Sequence, residues 1–529
     1  MNNSYPKLTR DKIYNILTER FNNKFLFLKD LPHPSLLKNM NLAVERIIQA
    51  IKNNEKIILV GDYDVDGVIS TSVVINFFDD IGAKIDWIIP NRFRDGYGLS
   101  TTIMPRIKDY DLVITVDNGI AAVGAAKECK KLGIDLIITD HHIVPQESPT
   151  AYAIINQKQI ACTFPYEEIC GAQIAWYLCS AINIVLQSNI KMGKYLELVA
   201  IAIIADVMPL QHINRVMVQS GIRYLNKSDK PFVRAYKKYA NKDMISSEDI
   251  AFSIAPIINC AGRLEDASLA VEFISSKNIY DAKDKLDQLI ALNERRKQIE
   301  QEITSEASKS INNDDKVIVV ASDGWHEGVV GIVASRLAKK FERPAIVLNG
   351  KNGNYKGSGR SFGNCDLFGL VDTQRGFLDK FGGHHAAIGM SIKSDVLSRF
   401  TKSINDVAQS LCSDENFANT EVIGELSFAL IDFSLIDMIS EFEPFGAGNT
   451  KPKFISKNIE ILDVKTMGKD ANHLRFTLRD DDIVLNGVQF KTYEKYELGQ
   501  HINIIYSINK NIFRSQTSIQ LMIEKILLI

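Results

Sequence analysis

The sequence has few of the features that mark secreted, membrane-spanning or zinc-stapled proteins. Its seven cysteines form no CxxC pair and are odd in number, which argues against a zinc ribbon or a disulfide framework. The longest apolar run, LVAIAII at 198–204, is far too short to span a bilayer. The first residues, MNNSYPKLTRDK, lack the apolar region of a secretory signal. We therefore expect a cytoplasmic protein with reduced cysteines.

A strong net charge and a nucleoside-triphosphate motif are also missing. The formal net charge is -2, so the overall charge does not indicate a nucleic-acid-binding protein. The sequence contains no GxxxxGK[ST], which leaves ATP hydrolysis without support. One local exception is the basic, tyrosine-containing segment 223–242, RYLNKSDKPFVRAYKKYANK. It is either a solvated helical face or a surface that follows phosphates.

The pattern of apolar runs divides the 529 residues into regions, and a chain of this length predicts three or more domains. Residues 1–50 indicate short helices. Residues 51–275 begin with strands that alternate with helices, which is typical of a parallel sheet, and then become mainly helical. Residues 276–312 form one long charged helix of the kind that bridges domains. Residues 313–415 are a smaller α/β unit, and 416–529 alternate as an all-β barrel or sandwich.

Acidic residues and histidines follow three of the predicted strands in the first α/β region. The carboxyl ends of parallel strands meet at one edge of a sheet, and ligands bind there. A further acid ends the apolar helix LELVAIAIIAD and could enter the same crevice. The residues concerned are Asp62, Asp64, Asp66, Asp117, Asp140, His141, His142 and Asp206.

So many carboxylates in one crevice cannot all ionise without a compensating positive charge. Imidazole mixed with carboxylate, without thiolate, favours Mn²⁺, with Mg²⁺ as the competing choice. The ligands exceed the need of one ion, so we expect two ions of the kind that hydrolyse phosphoesters. Taken singly, Asp66 could be a helix N-cap and Asp117-Asn118-Gly119 a turn. Their joint occurrence at successive strand ends favours the metal site.

These motifs resemble those of the DHH phosphoesterases. DYDVDG, VDNG, TDHH and IADVMPL match the metal motifs of that superfamily. INCAGRLEDASLA, WHEGVVGIVASRLAKKF, GSGRS, GGHHAAIGM and EPFGAGNTKP are similar to its RecJ group, and the likeness covers nearly the whole chain. The resemblance implies a parallel-sheet DHH domain, a long connector helix, a smaller α/β DHHA1 domain and a C-terminal all-β barrel of the oligonucleotide-binding (OB) type.

The same resemblance implies roles for the residues of the crevice. Asp117 is expected to bridge the two ions, and one of the adjacent histidines to ligate while the other faces the scissile phosphate. A water held between the ions would attack the phosphorus in line, so no protein nucleophile is required. The implied catalytic residues and metal ligands are Asp64, Asp66, Asp117, His141, His142 and Asp206, with Asp62 as a further metal contact.

Glycine-rich segments of the smaller α/β region are expected to hold phosphates, because a glycine backbone can approach them closely. The alternative for these segments is a pair of hairpin turns. Arg263 is expected to be a phosphate ligand near the metals, and its alternative is an ion pair with Glu265 or Asp266. The phosphate-binding set is Arg263, Ser358, Gly359, Arg360, Gly382, Gly383 and His384.

The β-rich tail offers side chains for a single strand. Barrels of this kind hold single strands by stacking bases on aromatic rings and by placing arginines on the backbone. We expect at least half of these candidates to be core residues, and the sequence does not separate them. They are Arg475, Phe476, Phe490, Tyr506, Phe513 and Arg514, of which the first two are our predicted contacts.

The resemblance implies a DNA exonuclease that is specific for single strands, digests 5′ to 3′ to 5′-mononucleotides, and acts in DNA repair and recombination. A relative that cleaves short oligonucleotides or cyclic dinucleotides is the main alternative. A catalytically dead scaffold is a second, although every expected ligand is present. Single-strand-binding protein or a RecQ-type helicase is implied as a partner. We expect no further C-terminal domain, no membrane contact and a monomer.

Overall fold

The computed structural model describes residues 5–21, 27–411, 422–468, 472–490, 492, 494–513 and 516–528. Helices and strands are numbered below in chain order. The N-terminal region contains α1 (Arg10–Glu19) and α2 (Met40–Asn53). Two candidates of the tail, the Phe513 side chain and Arg514, lie outside the described part of the chain.

The first sheet is fully parallel, with strand order β2-β1-β3-β4-β5, and confirms the predicted α/β fold. Alternate residues of its strand β1 face opposite sides, so the strand is buried on both faces. Ile57 and Leu59 join one core and Ile58 and Val60 the other. The elements are β1 (Ile57–Val60), α3 (Val65–Asp80), β2 (Asp86–Ile88), α4 (Met104–Ile107), β3 (Leu112–Val116), α5 (Val123–Lys131), β4 (Asp135–Thr139) and β5 (Ala153–Ile155).

A helical layer follows the sheet, as the sequence predicts, and completes the larger core of the first domain. Among the described residues, no helix is long and apolar enough to cross a membrane. The helices are α6 (Gly171–Leu186), α7 (Leu196–Ala205), α8 (His212–Lys227), α9 (Pro231–Ala240), α10 (Ser247–Asp249), α11 (Ala255–Leu264) and α12 (Ser268–Ile274).

The long helix α13 (Ile279–Lys309) connects two domains. It begins at Asn278, whose side chain accepts a hydrogen bond from a first-turn amide at 2.9 Å. Leu286 and Leu289 in its first half pack into the core of the first domain. Ile303 in its second half packs into the core of the next domain. A narrow apolar stripe on a charged helix therefore has the bridging role that the sequence predicts.

The second α/β unit has a mixed sheet of order β6-β7-β8-β10-β9, in which β6 and β7 are parallel and the rest antiparallel. Its glycine-rich segments form antiparallel strands, so they are neither open phosphate loops nor merely turns. The elements are β6 (Ile318–Asp323), α14 (Val330–Phe341), β7 (Ala345–Lys351), β8 (Asn354–Arg360), α15 (Leu367–Asp372), β9 (Leu378–His384), β10 (Ala387–Lys393) and α16 (Leu397–Leu411).

The C-terminal domain is a closed barrel, as the OB-type prediction requires. Five strands follow the order β12-β13-β14-β16-β15, and the pairing of β15 with β12 closes the ring. Closure leaves these strands with no unpaired edge of the kind that a sandwich would keep. The elements are β11 (Val422–Glu425), α17 (Phe433–Ser440), β12 (Lys453–Met467), β13 (His473–Asp480), β14 (Ile483–Phe490), β15 (His501–Phe513) and β16 (Gln516–Leu528).

The N-terminal helix α1 belongs to the core of this barrel, which the sequence pattern did not indicate. Ile13 and Leu17 are fully buried in the same apolar cluster as the barrel strands. The Leu8 amide donates to the carbonyl of Glu425 at 2.9 Å, and Arg10 pairs with the Asp432 carboxylate at 2.5 Å. The region predicted as one N-terminal unit is therefore divided between two domains, because α2 packs on the first sheet.

We expect Leu17→Ala to destabilise the barrel by about 2–5 kcal/mol, because it opens a cavity in a core that spans both ends of the chain. The measurement is thermal unfolding followed by near-ultraviolet circular dichroism. Asn15→Ala, at an exposed position of the same helix, is the matched control. Equal melting temperatures for the two variants would show that α1 does not stabilise the barrel.

Candidate metal centre

All seven predicted metal-binding residues lie in one cluster at the carboxyl edge of the first sheet. Three groups of side chains each bring their possible ligand atoms within 4.8 Å of one another. Two of the groups share Asp117 and two share His141, so the three form a single site. The groups are Asp62-Asp64-Asp117, Asp117-His141-His142 and Asp66-His141-Asp206.

His141 lies at the centre of the carboxylates. Its Nε2 is 3.2 Å from Asp117 Oδ1, 3.7 Å from Asp66 Oδ2 and 3.8 Å from Asp206 Oδ2. Imidazole and carboxylate are the donor types that Mn²⁺ accepts together. Burial lowers the pKa of His141, which keeps the ring neutral and able to ligate.

The backbone at the end of β3 is shaped to present Asp117. Asp117 has φ of 61°, in the left-handed region that Asp and Asn tolerate better than most residues. The next residue, Asn118, is fully buried, and its side-chain amide donates to the carbonyls of Val60 at 3.0 Å and Val116 at 2.9 Å. Its side-chain oxygen accepts the Leu99 amide at 2.9 Å. Asn118 therefore ties the ends of β1 and β3 together and fixes the direction of the acid.

Helix termini hold two of the other acids. The Asp66 carboxylate accepts the amides of Gly171 at 2.5 Å and Ala172 at 2.8 Å, at the positive end of α6. A Cβ on Gly171 would lie 2.6 Å from the Cβ of Asp117, so only glycine allows this approach. The N-cap of α3 is Asp64, which accepts the Gly67 amide at 3.1 Å, and not Asp66 as the capping alternative supposed.

Asp140 orients His142 and is not part of the three groups. One Asp140 oxygen lies 2.7 Å from His142 Nδ1, and the other accepts the Ile120 amide at 2.9 Å. Burial opposes the charged imidazole, but the hydrogen bond and the charge of Asp140 raise the pKa of His142 to about 9. In the metal-free site the raised pKa favours the protonated form of His142, which can face an anionic substrate.

The pKa values of several acids show that burial and mutual repulsion disfavour their charged forms. Burial, then the charges of neighbouring carboxylates, holds the pKa of Asp62 and Asp117 well above the ordinary range and raises that of Asp206 to about 8. Within the described part of the chain, one buried oxygen of each of these acids has no hydrogen-bond partner. Oxygen and imidazole donors with unused lone pairs fit divalent cations.

An arginine cluster lies beside these acids. Arg263 donates to the Gly328 carbonyl at 3.2 Å, and it forms no ion pair within the described residues. Glu265 and Asp266, its alternative partners, pair with other arginines. Burial first, and then the charge of Arg92, lowers the pKa of Arg263 to about 10, while Asp64 opposes this shift and Arg360 adds to it. The half-buried cations therefore face one another and an acid of the cluster.

The second domain supplies Arg360. It lies at the end of β8, where its Nη1 donates to the Ser358 hydroxyl at 3.1 Å. A Cβ on Gly331, in the first turn of α14, would be 3.3 Å from Arg360 Nη2. Arg360 and Ser358 therefore lie at a helix N-terminus, which is suited to an anion.

Sequence reasoning missed two residues of the loop that follows β2. The Arg92 guanidinium stacks 4.2 Å from the centre of the Tyr63 ring, and the Tyr97 hydroxyl donates to the Asp117 carbonyl at 3.3 Å. The signal was available, because NRFRDGYG follows a strand of the same parallel sheet and so lies at the same edge.

Other predicted contacts lie elsewhere. Gly359 faces the core, since a Cβ there would lie 2.7 Å from Ile388, whereas Gly382, Gly383 and His384 are exposed on β9. No contact described for these three residues reaches the arginine cluster, and their role stays a prediction.

In the barrel, alternation along β13 leaves Arg475 exposed but buries Phe476 completely. The prediction that Phe476 stacks on a base is therefore wrong, because its ring lies in the barrel core. Tyr506 is equally buried and bonds to Ser456, whereas Phe490 is exposed.

Comparison with known proteins identifies the domains. The chain matches the models of the DHH family N-terminal domain over residues 56–203, the DHHA1 domain over 314–410 and the RecJ OB domain over 424–525. It is 32% identical to the single-stranded-DNA-specific exonuclease RecJ of Escherichia coli, over 93% of this chain and 90% of that protein. The chain belongs to the RecJ family.

Other RecJ proteins agree. Identity is 30% with RecJ of Dickeya dadantii, over 94% of this chain and 92% of that protein. It is 36% with RecJ of Bacillus subtilis, of which this chain spans 65% of the length. Among solved structures, RecJ of Thermus thermophilus in complex with Mn²⁺ has a TM-score of 0.81, at 23% identity, over 98% of this chain and 75% of that one. This last likeness confirms the fold.

We expect Asp117→Asn to stabilise the metal-free protein and to weaken Mn²⁺ binding by about 100-fold or more. Asn tolerates the left-handed backbone, while the change removes one charge from the repelling set. The measurement is the melting temperature with EDTA and with added Mn²⁺. Asp109→Asn, at an exposed position, is the control. An unchanged Mn²⁺-dependent rise in melting temperature would contradict the ligand role.

We expect Mn²⁺ affinity to rise between pH 6 and pH 8. In the metal-free site the pKa of Asp206 is about 8, so this acid carries a proton that the ion must displace. Below that pKa, each displaced proton raises the affinity about tenfold per pH unit. Calorimetric titration in buffers of different ionisation enthalpy measures both affinity and proton release. A flat profile, or the same slope in Asp206→Asn, would refute this linkage.

Proposed function

We propose that this chain is a single-strand-specific DNA exonuclease that digests 5′ to 3′ and releases 5′-mononucleotides by metal-dependent hydrolysis. Family membership supports the activity, since the RecJ relatives are named single-stranded-DNA-specific exonucleases. The observation that carries the proposal is the arginine cluster beside the acids. A metal centre flanked by an anion pocket is suited to a strand that ends in a phosphate.

The proposed metals are two divalent ions, Mn²⁺ first and Mg²⁺ as the competitor. Solved RecJ structures are described with manganese and with magnesium, which supports this choice. When bound, such ions activate a water and stabilise the charge that develops on the phosphoryl oxygens. The residues that would hold them are Asp62, Asp64, Asp66, Asp117, His141 and Asp206.

The two adjacent histidines have different roles in this proposal. His141 presents a neutral Nε2 to the carboxylate cluster and ligates metal. His142 is held by Asp140 and keeps a proton on each ring nitrogen at neutral pH, which enables it to donate a hydrogen bond to a phosphate oxygen. We infer that His142 acts on the substrate rather than as a permanent ligand.

The arginine cluster supports both end recognition and polarity. Arg92, Arg263 and Arg360 are half-buried cations from three separate segments. In this proposal a terminal 5′ phosphate binds there while the next phosphate lies at the metals. Cleavage on the 3′ side of that nucleotide releases a 5′-mononucleotide.

A cavity of about 500 Å³ opens beside the metal centre and the arginine cluster. Residues of all three domains line it, including Val207 beside a proposed ligand, Ile332 of the second domain and Phe445 of the C-terminal domain. Arg263 also lines it, so the cavity leads to the arginine cluster. Exposed Arg475 and Phe490 on the barrel are suited to the strand outside, by backbone contact and base stacking.

The proposal includes a cytoplasmic location and a monomer that acts with other proteins on DNA ends. A helicase of the RecQ type or a single-strand-binding protein would supply the open strand during repair and recombination. Five of the described cysteines, Cys129, Cys162, Cys170, Cys179 and Cys260, form no disulfide, which fits a reducing compartment.

The test incubates the protein and Mn²⁺ with end-labelled DNA. We expect mononucleotides from the 5′ end of a single strand, none from a blunt duplex, and no activity in Asp117→Asn. We also expect a preference of about tenfold or more for a 5′ phosphate over a 5′ hydroxyl, because the arginines bind that charge. Release from the 3′ end, or cleavage confined to dinucleotides, would overturn the proposed function.

Arg263→Ala is expected to abolish the preference for a 5′ phosphate while it leaves Mn²⁺ binding unchanged. Arg399→Ala, an exposed arginine of the second domain, is the matched control and should retain the preference. A preference that survives in Arg263→Ala would remove this residue from the end pocket.

A further inference from the structure

Lys158 lies beside the metal centre at the edge of the sheet opposite to Arg92. β5, the strand that precedes Lys158, and β2, the strand that precedes Arg92, are the two edge strands of the parallel sheet. Both residues follow the carboxyl end of their strand, where the acids also lie. The metal centre at the ends of β1, β3 and β4 is therefore flanked by one cation from each edge.

The segment that carries Lys158 is fixed to the site residues. The Asn156 side chain donates to the His142 carbonyl at 2.9 Å and accepts the Lys158 amide at 2.8 Å. The Gln157 side chain donates to the Glu167 carbonyl at 2.6 Å, in the stretch that leads into α6. Asn156 and Gln157 are buried, so Lys158 projects from a rigid turn between the histidines and the helix that holds Asp66.

The Lys158 ammonium is not paired with a carboxylate of the described residues. Its side chain is half-buried, and within the described residues it forms no ion pair at 4.0 Å or less. Its backbone amide is tied through the Asn156 side chain to the carbonyl of His142, which places the turn that carries Lys158 beside the metal centre.

We propose that Lys158 is a positioning residue that binds the phosphate of the retained strand next to the scissile phosphodiester. This inference rests on the proposed function. There the arginines bind the terminal phosphate on one side of the metals, so the retained strand must leave on the other. A half-buried, unpaired ammonium on a fixed turn is suited to a phosphate, which it contacts as a compact charge.

The first test compares substrates of two lengths. A dinucleotide with a 5′ phosphate contains only the terminal and scissile phosphates, whereas a longer single strand also contains the phosphate assigned to Lys158. We expect Lys158→Ala to lower kcat/KM roughly tenfold or more on the longer strand and to leave the dinucleotide unchanged. Lys158→Arg should retain most activity. Lys108→Ala, at an exposed position of the same domain, should match the unchanged protein.

The second test neutralises the phosphate itself. A strand with one methylphosphonate at the third phosphate should have a kcat/KM roughly tenfold lower with the unchanged protein. With Lys158→Ala the methylphosphonate should cause no further decrease in kcat/KM, because the two changes remove the same contact. In the Asp117→Asn background, strand binding can be measured at several salt concentrations. Lys158→Ala should make the slope of log K against log salt concentration shallower by about 0.7. This binding measurement requires no catalysis.

If Lys158→Ala lowered kcat/KM equally on the dinucleotide and on the longer strand, the proposal would be overturned, since Lys158 would then act on the metal centre. The proposal would also be overturned if the methylphosphonate lowered kcat/KM as much with Lys158→Ala as with the unchanged protein. A protein that degrades no single strand from the 5′ end, with Lys158 intact, would instead refute the proposed function. The two failures are therefore distinguishable.

Discussion

Repulsion among buried carboxylates is the constraint on which the rest of the site depends. Asp62, Asp117 and Asp206 are all held with raised pKa values in one crevice. The fold tolerates this only because other groups fix each acid in place. Amides at the start of α6 hold Asp66, and the buried side chain of Asn118 fixes the backbone that presents Asp117. Metal binding would relieve the repulsion, so affinity for ions is built into the fold.

Cations from separate parts of the chain surround this acidic centre. Arg263 lies in α11 of the helical layer. Arg360 lies on β8 of the second domain, which α13 joins to the first. α13 packs into the cores of both domains and so joins the domain that carries Arg360 to the first. Cations of both domains thus lie together beside the acids, in an arrangement that is suited to phosphates.

The two ends of the chain share one core. Arg10 and Asp432 form an ion pair across 422 positions, and the apolar face of α1 packs into the barrel. An N-terminal segment made early in synthesis must therefore wait for the last domain before it can bury that face. This closure also joins the third domain to the first, where Arg215 donates to the carbonyl of Glu441 at 3.1 Å.

Local patterns in the sequence determined the parallel sheet, the bridging helix, a β-rich C-terminal region and the acids and histidines that gather at one edge, whereas the choice of a barrel over a sandwich came from the family resemblance. They could do so because strand and helix periods are local, and because residues that follow parallel strands share an edge. Tertiary structure alone decided that α1 completes the barrel and that Phe476 is a core residue. Those outcomes depend on which distant segments pack together, and side-chain burial is a property of that packing rather than of residue type.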